Sequence, residues 1–166
     1  MISLFLGLTF FNLLCLLATA ALGYCVVFYG HTFATYHQLA GSLSTVACCA
    51  VHCVVFTYFM ATAKWIQHAV DVKNLDRELI APTRSFKAQA FPAAIGAMLI
   101  VFITAVVGVA TISYGLRSFW HHILAWLSIF VNIFVATVEY RAILKNGKLI
   151  DTILAKINAP GPQSPV

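Results

Sequence analysis

The chain has 166 residues, 61% of them hydrophobic and 9% charged, with a mean hydropathy of +0.92 and a formal charge of +5. Soluble domains carry about a quarter charged residues, so this chain lacks the polar surface that a water-soluble fold requires. The composition excludes a soluble enzyme and points to an integral membrane protein.

A spanning helix needs about 20 apolar residues, and four segments meet that need: roughly 3–28, 37–63, 93–115 and 119–143. The first, "MISLFLGLTFFNLLCLLATAALGYCVVFYG", lacks a basic leader and is too long for a signal peptide, so it reads as a retained span. Residues 29–36 form a short link without Lys or Arg. Span two is followed by "KWIQHAVDVKNLDRELIAP", whose Trp65, Ile66, Ala69, Val70, Leu75 and Leu79 recur at helical spacing. This segment reads as an amphipathic extension that ends at Pro82, and Pro92 is expected to open span three in its first turn.

Residues 116–118 link spans three and four. Beyond span four, "GKLIDTILAKI" is a second amphipathic segment, suited to lie in the membrane interface. Residues 1–158 thus form a single transmembrane domain, and 159–166, rich in proline, read as a disordered tail. Nine of the ten basic residues fall in the central loop and the tail, with Arg117 alone on the other side. The positive-inside rule then predicts an all-α bundle of in-out-out-in topology, both termini cytoplasmic, in a bacterial inner membrane.

Each span carries a stripe of small or polar residues at intervals of three, four and seven. They are Asn12, Cys15, Thr19 and Gly23; His37, Gly41, Ser44, Cys48 and His52; Ala97, Thr104, Gly108, Thr111 and Gly115; His121, Ala125, Ser128, Asn132 and Glu139. In lipid such stripes hold helices together, so they are expected to face inward. "HQLAG" in span two and "HILAW" in span four echo one another, as an old two-helix duplication would.

A rise of about 1.5 Å per residue sorts the polar groups by depth. His37 and His121 open their spans at one level, with His31 and His122 nearby. His52 lies about 22 Å deeper, near the expected level of Asn12 and Glu139. Ionisable groups in hydrocarbon cost several kcal/mol unless they face the interior and find partners. The outer layer suits haem b: neutral imidazoles on facing helices supply axial nitrogens, and Gly41 beside His37 lets a flat macrocycle approach. His122 is a substitute ligand. The inner layer of His52, Glu139 and Asn12 suits a quinone headgroup or a proton. "CCAVHC" offers soft ligands for copper, but its cysteines do not share one face.

The architecture and the histidine placement resemble four-helix membrane b-type cytochromes. The resemblance implies one haem b carried between spans two and four, and electron exchange with quinone or a partner complex. It rests on no diagnostic motif. It also departs from the two-haem pattern, because span four has no inner histidine. Two rival expectations stand beside it. One is a cofactor-free accessory or scaffold subunit; the other is a small proton or solute transporter. Partner membrane subunits or a homo-oligomer are expected in a chain this poor in loops. Nucleic acid is not expected, since the basic residues sit beside the bilayer.

Overall fold

The computed structural model describes residues 1–159; the side chain of His31 lies outside that description, as does the expected disordered tail from residue 160. Four helices form an up-and-down bundle: α1 (Ile2–Tyr29), α2 (Ala34–Val72), α3 (Ala81–Ser113) and α4 (Ser118–Asn158). All four are long and apolar enough to cross a membrane. Their outward faces carry large apolar residues such as Phe10, Phe28, Leu43, Val109 and Phe134. The buried polar residues include Asn12, Ser44, His52, Ser128, Asn132 and Glu139, so the small and polar stripes do point inward.

Each helix packs on the next and α4 closes against α1, which leaves α2 and α4 facing one another across the bundle. On α3 the buried residues Ala90, Ala94, Ala97 and Val101 form a narrow seam that allows close helix approach. Both outer reversals use the same device. α1 stops at Tyr29-Gly30 and α3 near Tyr114-Gly115, and the two glycines take φ of 78° and 67°. A side chain there would clash with the backbone, which is why glycine serves.

The loop regions differ from the sequence reading in three ways. Pro82 does not end an extension but lies in the first turn of α3, where its missing N–H is harmless. Pro92 is therefore inside α3 rather than at its start, and has no N–H to offer the Ala88 carbonyl. "GKLIDTILAKI" does not lie apart in an interface: it continues α4, and Ile153 packs on Ile66 and Val70 of α2. Leu75, Leu79 and Ile80 cover the same cluster. With 39 and 41 residues, α2 and α4 run about 60 Å, twice the hydrocarbon thickness of about 30 Å. The amphipathic segments thus form one helical stub beyond the stretch long enough to cross a membrane, with its own small core.

Candidate functional site

His37 on α2 and His121 on α4 meet at the outer end of the bundle, with ring centroids 5.9 Å apart and planes at 78°. Each ring is anchored the same way. His37 Nδ1 lies 3.0 Å from the Thr19 carbonyl, and His121 Nδ1 lies 3.1 Å from the Thr104 carbonyl. A carbonyl only accepts, so each Nδ1 carries the proton and each Nε2 keeps its lone pair. That is the tautomer a metal ligand needs, held by the backbone bond that typically orients such ligands.

Glycines make room for both rings. A Cβ on Gly23 would stand 3.1 Å from His37 Cε1, and one on Gly108 would stand 2.8 Å from His121 Cε1. Gly41, the glycine singled out beside His37, does not face the ring; a Cβ there would meet Thr19 Cγ2 at 3.7 Å. Gly23 and Gly108 were visible only as members of inward stripes. The signal that marks them is a repeated string, Thr-Ala-x-x-Gly and then, after five intervening residues, Tyr-Gly, at 19–30 and again at 104–115.

The repeat extends to hydrogen bonds. The hydroxyls of Thr19 and Ser44 are 2.8 Å apart and both bond to the Cys15 carbonyl. The hydroxyls of Thr104 and Ser128 are 2.7 Å apart and both bond to the Ile100 carbonyl. The two hairpins, α1–α2 and α3–α4, are therefore two versions of one unit around the histidine pair. The match pairs His37 with His121, one residue away from the register that "HQLAG" and "HILAW" suggest.

His122 packs toward α1. It stacks on Tyr24 at 5.8 Å, and the Tyr24 hydroxyl accepts from Trp126 Nε1 at 3.0 Å. His122 is thus part of the α1–α4 contact, with its ring centroid 6.2 Å from that of His121.

The inner layer is not symmetric. His52 Nδ1 and Glu139 Oε1 are 2.8 Å apart, with the side chains 3% and 1% exposed. Asn12 does not join them directly; its Nδ2 donates to Asn132 Oδ1 at 3.0 Å, and the Cys48 thiol donates to the same oxygen at 3.4 Å. Asn132 Nδ2 donates to the Ser128 carbonyl. Apolar clusters flank this layer: Leu16, Val101 and Ile129 toward the histidine pair, and Phe5, Val55, Phe59 and Ile143 toward the other end. Thr57, beyond His52 on α2, faces outward and bonds back to the Cys53 carbonyl. Its neighbour Tyr58 accepts from Asn146, which also bonds Thr62; Asn146 was not anticipated.

The copper reading finds no shared site: Cys48 is buried on Asn132 while Cys53 faces outward. Among the described residues no three His, Cys, Asp or Glu side chains come together as a metal-ion site. A bis-histidine haem asks for only two protein ligands. No family model, no curated protein and no solved structure matches the chain.

Proposed function

We propose that this chain is a membrane electron-transfer protein that holds one haem b between α2 and α4, with His37 and His121 as axial ligands. The supporting observation is the geometry of that pair. Metal–nitrogen bonds of about 2.0 Å, with the iron between two imidazoles, place ring centroids roughly 6 Å apart. The observed 5.9 Å meets that requirement, with both Nε2 atoms free and both Nδ1 atoms tied to backbone. When bound, the haem supplies a one-electron carrier. The protein's share is to fix the ring tautomers, to keep Cβ atoms off the rings at Gly23 and Gly108, and to seat the site inside the bundle.

The haem would exchange electrons with quinone in the bilayer or with a partner complex. Nine basic residues at the end opposite the histidine pair favour that end as cytoplasmic, in a bacterial inner membrane. One observation favours a second reading, the cofactor-free accessory subunit: at 78° the two rings also satisfy an edge-to-face aromatic contact.

Purified protein, expressed with haem precursors supplied, decides between them. The haem reading expects one haem per chain by pyridine haemochrome assay, lost in His37→Ala and in His121→Ala but kept in His122→Ala. Wild-type protein that folds and stays free of haem overturns it.

A further inference from the structure

The inner layer breaks the repeat that the outer layer keeps. By the register that superposes the two hairpins, His52 matches Ala136, Glu139 matches Val55 and Asn12 matches Ala97. Polar groups thus stand where the other half has apolar ones, although hydrocarbon-embedded polar groups are expensive. Helix packing alone does not require them, since the alanine and valine versions fit the same positions in the other hairpin.

Two atoms in this layer find no hydrogen-bond partner among the described residues: Asn12 Oδ1 and His52 Nε2, on side chains that are both 3% exposed. With Glu139 ionised, His52 Nδ1 donates to the carboxylate and Nε2 carries a lone pair. Two buried acceptors then lack a donor, a costly arrangement. A single proton on His52 Nε2 turns one of these buried acceptors into a donor. It also leaves an imidazolium beside the Glu139 carboxylate, an ion pair 2.8 Å apart.

We propose that His52 and Glu139 form a proton-binding site that takes up one proton when an electron reaches the histidine pair. The proposal rests on the haem reading for its source of electrons. An electron arriving at His37 and His121 lowers the charge of the bundle interior by one unit. A proton from water, bound at His52 Nε2, restores it; no bond besides that N–H is made or broken. Among the described residues, the fully buried positions offer no competing group. The buried positions of α1 and α3 carry no titratable side chain, α4 contributes Glu139 itself, and α2 adds only the Cys48 thiol, which donates to Asn132.

The two sites lie fifteen residues apart on α2, about 22 Å. At that separation a unit charge changes proton affinity about threefold at an effective dielectric of 20, and about tenfold in a drier interior. At 59 mV per tenfold change, the midpoint potential should fall by a total of about 30–60 mV as pH rises across the titration.

The test is a mediated redox titration of the purified protein in nanodiscs over a range of pH, followed by the haem band. The proposal expects a sloping potential in wild type, and a flat one in Glu139→Gln and in His52→Phe with the haem band retained. His52→Phe tests the site should the Glu139 variant fail to fold. A wild-type potential flat with pH overturns the proposal while leaving the haem intact. A slope unchanged in either inner-pair variant also overturns it. Protein without any haem band overturns both readings together.

Discussion

Thr19 and Thr104 stand 85 residues apart and do the same work: each offers its backbone carbonyl to the Nδ1 of a histidine on the next helix, at 3.0 and 3.1 Å. Each hydroxyl meanwhile bonds a serine of that same next helix, Ser44 or Ser128. A histidine position fixed twice by one arrangement is a feature of the fold, not an accident of one side-chain rotamer.

The glycines opposite the rings give the sharpest contrast. Gly108→Ala places a Cβ 2.8 Å from His121 and should displace the ring; Gly23→Ala, at 3.1 Å, should do so less. Gly41→Ala meets only ordinary contact and gains about 1 kcal/mol of helix propensity. Haem content per chain, measured for the three variants, should therefore fall in the order Gly41→Ala, Gly23→Ala, Gly108→Ala. Equal content in all three would show that the rings are not held as described.

The His52–Glu139 pair should behave asymmetrically. Removing one partner strands a buried polar or charged group, so His52→Leu or Glu139→Leu should destabilise by about 3–5 kcal/mol. Replacing both, with Leu at 52 and Met at 139, should recover most of that loss, because an apolar layer suits the surroundings. Thermal unfolding in detergent measures it; a double variant as unstable as the sum of the singles would contradict this view.

The stub beyond the stretch long enough to cross a membrane has a checkable core. Ile153 is fully buried against α2 and the segment after it, so Ile153→Asp buries a charge without a partner and should cost several kcal/mol locally. Limited proteolysis should then cut within 66–80 or 146–158 while the spanning part stays intact. Resistance equal to wild type would mean that the two amphipathic segments do not pack on each other.

On α3 the seam of small residues carries the helix contact. Ala94→Leu inserts a branched side chain at a fully covered position and should destabilise by about 1–3 kcal/mol. Ile95→Leu, next to it but facing outward, should leave the unfolding temperature unchanged.

Much of this was legible in the sequence, for physical reasons. Long apolar runs have only one common use, and polar residues at intervals of three, four and seven can only share a helix face. That was enough to set the number of helices, the inward stripes and the depth match of His37 with His121 and of His52 with Glu139. What periodicity does not carry is lateral detail within a layer. Asn12 sits near the inner pair in depth yet bonds Asn132, since partner choice depends on how helices rotate. His122 is adjacent to His121 in sequence, but about 100° round the helix, where Tyr24 takes it. Proline was read as punctuation at both Pro82 and Pro92, though a long helix with neighbours to support it tolerates the second. The pairing of Gly23 with His37 depends on α1 and α2 forming a hairpin of fixed register, which only the repeated Tyr-Gly turn reveals.

The reduced-minus-oxidised absorption spectrum of the purified chain is the most direct measurement. A six-coordinate low-spin b-type spectrum, insensitive to carbon monoxide because both axial positions are filled by His37 and His121, is the expected result. A folded protein with no such spectrum, or one whose haem opens an axial position to carbon monoxide, would contradict a bis-histidine site between α2 and α4.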